Sequence, residues 1–484
     1  MSKHHLSRRR FLGQASCAAV GSSAFLSTAL NLGMINTAAA RPHIINSNGD
    51  YKAIVCILLA GGADSYNFLI PTTASEFSLY QGIRGDLALS LDQVQNIAPD
   101  NTDGKTYGIH QGMTRMKQLF DQNDMAFLSN IGTLIEPIAS RVEWESQSRS
   151  IPLGLFSHSD QIMQWQTSVP HDRGAVGVGG RMADILKNMN EIQEISMNIS
   201  LDGRNRFQAG NTVVEYAVGN SANVDEIGLE PFTTYRSNSG IITEQRDAAI
   251  SNLVEDVYSN IFHDAYGGLT RQTIESVNLF KDALGRRPGL STIFPNTNLG
   301  QDLRMMADVI SANEFMGANR QIFFTTFGGW DHHDEVLLNQ DRMLPILDGA
   351  IGSLYDAMGE LGLQDQVTIC TISDFARTLT SNSQGSDHAW GGNSMIIGGA
   401  VNGGRIHGEY PELSLDNELN LDERGRMIPQ VSVDEFYAEL ALWFGVSVND
   451  LSYILPNIGN FNDYNNNPNP VSYTHLTLPT TPYV

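Results

Sequence analysis

The chain has 484 residues, with 30 Lys and Arg against 53 Asp and Glu, a formal charge of −23. Such an acidic surface excludes nucleic acid or an anionic membrane surface as partner. An anionic substrate would need local positive charge, from metal ions or from a few arginines.

The N-terminus opens with "SRRRFLGQ". Ser7, Arg8, Arg9, Phe11 and Leu12 form a twin-arginine pattern, read by the export machinery that carries folded proteins. An Ala/Ser-rich run follows from Ala15 to Leu32, too rich in Ser, Gly and Asn for a stable membrane span. "TAAARP" offers an A-x-A cleavage site at Ala38–Ala40, so residues 1–40 read as a signal peptide and the mature chain starts at Arg41. The expected location is periplasmic or extracellular. The first 40 residues hold four basic groups and no acid, so the remaining 444 carry a charge of −27. Two cysteines remain, Cys56 and Cys370, each in an apolar run, and buried thiols are expected, with a structural disulfide as the alternative.

Short apolar runs recur at 53–62, 125–132, 195–203, 321–329, 367–374 and 394–400. Most are continuous rather than alternating, the pattern of strands buried on both faces. Helical spacing appears between them at 112–122, 160–166, 180–189, 247–266, 299–315 and 343–362. Alternating strands and helices predict an α/β fold, a three-layer α/β/α sandwich around a mostly parallel sheet. Residues 41–456 read as one domain, with a Gly/Asn/Thr/Ser-rich covering insertion around 202–245. Residues 457–470 are Asn/Pro-rich and predict a loose terminus. "VSYTHLTLPTTPYV" (471–484) resembles translated sequencing-adapter read-through, and the expectation is that it is not native sequence.

Open α/β sheets bind ligands outside the carboxyl ends of their strands. Three predicted strands end there in acids. "GGADS" supplies Asp64, "GGWDHH" supplies Asp331 and His333, and "SDFAR" supplies Asp374 and Arg377. "GSDHAWGGN" adds Asp387 and His388. On extended backbone Asp331 and His333 point the same way. Carboxylates with imidazoles suit zinc, manganese or iron rather than calcium. The bland alternative is a set of solvated turns, since Asp202 also follows a predicted strand. His332 reads as an exposed neighbour, Asp334 as a cap for the helix that follows, and Trp330 and Trp390 as packing residues. His110 reads as a cap or packing group, with a role in the site as the alternative.

"LLAGGADSYNFLIP", "LFSHSDQIMQWQT", "GVGGRMADIL", "FGGWDHHDEVL" and "SDFARTLTSNSQGSDHAWGGNSMIIGGAVNGGRIHGEYP" together resemble the bacterial domain-of-unknown-function family 1501. That family is grouped with the alkaline phosphatase and sulfatase superfamily. The resemblance runs from about residue 50 to 455. It implies an alkaline-phosphatase-like core and two metal ions, zinc among the candidates. It would put Asp64 and Asp374 on one ion and Asp331, His333 and His388 on the other, with Asp387 able to join either. Phe375 stands where superfamily enzymes often have a histidine, and no cysteine lies in a C-x-P-x-R context. The implied activity is metal-dependent hydrolysis of a phosphate or sulfate ester, with Arg377 on the equatorial oxygens. Ser159, with Ser157 and Ser65 behind it, is the candidate nucleophile, and a plain helix cap is the competing role for Ser159. The alternative is a binding or assembly protein that keeps the fold without the chemistry.

Replacing Arg8 and Arg9 together by Lys is expected to strand the precursor in the cytoplasm. Fractionation and immunoblotting check this, and normal periplasmic yield would rule out the twin-arginine reading.

Overall fold

Strand β1, Lys52–Ala60, lies with apolar side chains on both of its faces. Ala53, Val55, Ile57 and Leu59 belong to one buried cluster, and Ile54, Cys56 and Leu58 to a second. That double burial is why the segment reads as a continuous apolar run. The computed structural model describes residues 51–101, 104–220 and 261–461. The expected signal peptide at 1–40, residues 221–245 of the expected insertion and the tail from 462 onward lie outside the described residues. So does most of the helix expected at 247–266; its last residues fall in helix Ile261–Arg286.

Clustering by contacts divides the chain into two compact units, residues 1–48 with 235–275 and residues 49–234 with 276–484. Of the first, the described residues are the start of helix Ile261–Arg286. The second holds everything that follows.

Its main sheet has nine strands. They are β1, β5 (Met125–Gly132), β6 (Asn198–Ser200), β7 (Tyr216–Ala217), β8 (Arg320–Gly328), β9 (Val367–Ser373), β10 (Gly392–Ile397), β11 (Arg405–His407) and β12 (Val431–Ser432). The order is β11-β5-β10-β9-β1-β8-β6-β7, with β12 also on β5. All pairings are parallel except those of β10, which runs antiparallel to β5 and β9. The expected mostly parallel α/β architecture is what the chain adopts. All six expected strands are present, although the one expected at 195–203 shrinks to three residues. A small antiparallel sheet, β2 (Leu69–Pro71), β4 (Tyr107–His110) and β3 (Val94–Ile97), was not expected, because three- and four-residue strands carry little periodicity.

The helices that matter below are α1 (Ala74–Arg84), α2 (Thr114–Asp121), α3 (His158–Thr167), α4 (Val178–Leu186), α5 (Asn298–Ser311), α6 (Val336–Leu361) and α7 (Val433–Phe444). Helices α2, α5 and α6 supply one core cluster and α4 and α7 the other. The sheet therefore sits between two helical layers. Asp334 does not cap α6: the cap position is Glu335, in a left-handed conformation, and no side chain bonds there. Residues 457–461 are not loose, since Ile458 is buried and Asn460 Nδ2 donates to the Ile135 carbonyl at 2.8 Å. Cys56 and Cys370 face each other on β1 and β9, buried and unbridged, as thiols in apolar runs should be. Among the described residues no helix is long and apolar enough to cross a membrane.

Helix α7 opens with a capping box, Ser432 with Glu435, and is buried along almost its whole length. Burial on all sides traps Glu439, whose two carboxylate oxygens have no hydrogen-bond partner among the described residues. Its carboxyl is pushed up to about 8 by burial. Nearby on the same helix Asp434 is pushed up to about 7, again by burial first. A raised carboxyl binds its proton more tightly in the folded than in the unfolded chain. Its contribution to stability is full below the ordinary carboxylate range and fades as pH rises through about 8 for Glu439. Melting temperature should therefore fall from mildly acidic to mildly alkaline pH, and Glu439→Gln should fall less. Parallel pH profiles of wild type and variant would refute the trapped-proton account.

Candidate metal centre

Three neighbouring parallel strands, β9, β1 and β8, end together. Leu59 of β1 lies opposite Phe327 of β8 and Ser373 of β9. The loops leaving these ends carry Asp64, Asp331 and Asp374. Two glycines let them approach. Gly61 and Gly62 have φ of +119° and +79°, and a Cβ on Gly61 would lie 2.4 Å from the Asp331 nitrogen. The backbones touch there because no side chain intervenes.

Three histidines meet over this edge. His158 is the first residue of α3, brought in by a turn at Phe156 with φ of +68°. That left-handed turn, costly for a residue with a Cβ, leaves the Phe156 carbonyl facing His388 Nδ1 at 2.7 Å. His158 Nδ1 lies 2.6 Å from Asp374 Oδ2. His333 Nδ1 lies 3.3 Å from Asp387 Oδ1. Each imidazole is thus held at Nδ1 by an oxygen, which leaves Nε2 for the centre of the cluster. His158 Nε2 is 3.5 Å from Asp331 Oδ2, His333 Nε2 is 3.1 Å from Asp331 Oδ1, and His388 Nε2 is 3.5 Å from the same oxygen. His333 and His388 Nε2 are 3.1 Å apart. Ligand atoms of His158, Asp331 and His388 all lie within 4.8 Å of one another, the spread a single cation can bridge.

Charge is arranged to suit this. Burial raises the Asp331 carboxyl, but hydrogen bonding and charge from Arg377 outweigh it and leave the carboxyl below its ordinary value. Burial lowers His388, so it stays neutral with its lone pair available. Asp374 is fully buried; burial raises it, and hydrogen bonds from His158 and the Gly61 amide oppose that. Phe375 packs against both imidazoles, 4.8 Å from His158 and 4.6 Å from His388 between ring centroids. Phe375 is thus an apolar wall, and His158 comes in from another element.

The expected residues separate into two groups. Asp331, His333 and His388 come together, with Asp374 and Asp387 behind two of the imidazoles. Asp64 and Asp374, implied as ligands of one ion, are not paired. Asp64 is fully buried and lies 2.7 Å from Arg84 Nη2, itself fully buried at the end of α1. Ser386 Oγ donates to the same Asp64 oxygen at 3.0 Å. Asp387 is bound by Arg424 on its far side. Arg377 does not reach out to solvent. It is fully buried and donates to the carbonyls of Gly62 at 2.7 Å and Ser386 at 3.0 Å, and to Gly61 and Asp331.

Ser159 is exposed, 3.1 Å from Ser157 Oγ, and Ser157 holds the cap position of α3. Ser65 is buried and accepts from the Asn393 amide at 2.8 Å. His332 is not an exposed neighbour: it is 5% exposed, with its ring 5.9 Å from that of Trp330 between centroids. The Trp330–Asp331–His333 turn tucks it inward. Trp330 and Trp390 are buried packing residues, and His110 Nδ1 accepts from the Gly112 amide at 3.0 Å, a local cap. The residue that sequence reasoning passed over is His158. Its one signal was its place beside a helix cap in "FSHSDQ".

The sequence model of the family described as "Protein of unknown function (DUF1501)" matches residues 290–454. No curated protein matches the chain. Solved structures with a similar chain course include Ps i-CgsB, at 11% identity and a TM-score of 0.35, covering 85% of this chain and 77% of that one. Another is the C-terminal periplasmic domain of EcEptC from Escherichia coli in complex with Zn, at 10% identity and 0.33, covering 84% and 87%. A third is the lipoteichoic acid synthase LtaP from Listeria monocytogenes, at 9% identity and 0.28, covering 79% and 77%.

The Asp64–Arg84 pair is the interior ion pair behind this edge. Arg84→Met should destabilise the fold by about 3–5 kcal/mol, because it leaves a buried carboxylate unpaired. Asp64→Asn with Arg84→Met should recover much of that loss. Denaturant unfolding of Arg84→Met, Asp64→Asn and the double variant checks this; strictly additive losses would mean the two groups are not coupled.

Proposed function

We propose that the chain is an exported hydrolase of phosphate or sulfate esters that works with one divalent transition metal. The ion would be held by His158, Asp331 and His388, with His333 beside them. The supporting observation is the set of three imidazoles, each fixed at Nδ1 by an oxygen and each presenting Nε2 to one carboxylate. Two or three imidazoles with a carboxylate suit zinc. Such an ion, when bound, supplies a Lewis acid to the ester and lowers the pKa of a water.

The chain's own residues do the rest. Asp374, Asp387 and the Phe156 carbonyl hold the Nδ1 protons and set which nitrogen faces the centre. Arg377 keeps Asp331 ionised and fixed; it is a positioning residue. Phe375 and the glycine-lined loops exclude water from one side. Export through the twin-arginine signal at residues 1–40 fits a site loaded before the folded protein leaves the cytoplasm. Ser159 follows His158 in the same helical turn and is the serine through which a covalent route would pass.

A second reading keeps the metal and drops the chemistry. It is favoured by Asp64 and Arg377, which spend their charge inside the wall rather than on a ligand.

Elemental analysis of the folded protein should find one equivalent of transition metal. His158→Ala and His388→Ala should lose it, and His171→Ala, at an exposed position, should not. Asp374→Asn should weaken metal affinity by roughly 10–100-fold through the orientation of His158. Turnover of aryl phosphates or sulfates by the loaded wild type, lost in the two histidine variants, supports the hydrolase. Ser159→Ala then separates a serine route from a water route. Metal without turnover supports the second reading, and no metal at all rejects both.

A further inference from the structure

Beside the centre lies a cavity of about 320 Å³. Its floor is Leu58 of β1 with Phe324 and Thr326 of β8, and one wall is Ser159, Ile162, Met163 and Gln166 of α3. These four residues follow helical spacing, so one face of α3 lines the cavity. His158 begins the same helix, and β8 runs on into Asp331. The two elements that frame the cavity are therefore the two that deliver a histidine and the carboxylate of the cluster.

The opposite rim is the loop after β6, which carries Asp202, Arg204, Asn205 and Arg206. Asp202 is occupied by Thr326, whose Oγ1 donates to it at 2.5 Å. Arg204 is 84% exposed and lies 3.7 Å from Glu215, a loose contact. Arg206 is exposed and forms no ion pair among the described residues. Asn205 is tied back by its amide to Ser200 Oγ at 3.1 Å and Gln208 Oε1 at 2.8 Å, which fixes the loop between the two arginines. The result is an apolar floor under two guanidinium groups, in a chain that is otherwise strongly acidic.

We propose that this cavity receives the organic part of the substrate, an apolar or ring-shaped group bearing a second negative charge. Arg204 and Arg206 meet that second anion while the ester lies at the His/Asp centre. The idea rests on the metal-dependent reading above for the position of the ester. The rim arginines select against neutral organic groups, because only an anion repays their desolvation. The apolar floor selects against small, fully hydrated anions.

Calorimetric titration of the zinc-loaded full chain tests this with phenylphosphonate and para-carboxyphenylphosphonate. The added carboxylate should tighten binding by roughly tenfold in the wild type. That gain should vanish in the Arg204→Ala/Arg206→Ala double variant, with phenylphosphonate unchanged. Where the phosphonates bind, no gain in the wild type, or a gain that survives the double substitution, overturns the proposal. Naphthalene disulfonate, titrated into metal-free protein, reports on the cavity without the centre. Binding that the double variant loses supports the cavity even where neither phosphonate binds, an outcome that would reject the metal reading alone. Binding that is absent, or indifferent to the two arginines, overturns the cavity proposal.

Discussion

The guanidinium of Arg377 ties the edge of the sheet together. It is fully buried, and a buried cation is tolerated only when its donors are met. Those donors reach the carbonyls of Gly61 and Gly62 after β1, the Trp330 carbonyl and the Asp331 carboxylate after β8, and the Ser386 carbonyl in the loop before His388. Three loops far apart in sequence are therefore fastened to one rigid planar group. The cluster of imidazoles is built on the outer side of that fastening. Gly61 and Gly62 belong to the same construction, since their carbonyls reach Arg377 only because the loop can take positive φ.

The order of support runs outward from there. Arg377 fixes and ionises Asp331. Asp331 faces the three Nε2 atoms. Asp374, Asp387 and the Phe156 carbonyl hold the far side of each ring. A cluster whose members are each oriented by a different element needs little reorganisation on taking up a cation. Asp331 and His333 form the solvent-facing part of this set, 45% and 46% exposed, and Arg424, 43% exposed, backs Asp387.

The fold was legible because its central strands are buried on both faces, so their sequences are uninterrupted runs of apolar residues. β6 was overread, since only three residues of "ISMNISLDG" pair with β8 before the chain bends away. The edge acids were legible as a group from their positions after strands. What each acid does was not, because that depends on which cation reaches it. Arg84 lies on a helix that no strong periodicity announced, yet it takes Asp64. His332 and His333 are adjacent and identical in chemistry, and only the turn at Trp330 decides that one is buried and the other faces the centre. His158 comes from a helix start, where polar residues usually mean a cap, and the cap there is indeed Ser157. In the family match this stretch falls before residue 290, so the histidine that completes the cluster lies outside the matched segment.

The burial of Arg84 against Asp64 has a further consequence. A bound ion is a diffusing species, with an occupancy set by its concentration in the surroundings. A guanidinium on the chain is present at full stoichiometry from the moment of folding, whatever the compartment or the chelator. At Asp64 the sheet edge is thus neutralised by inheritance rather than by supply. Were the histidine cluster to hold an ion, losing it would leave the charge beneath it balanced.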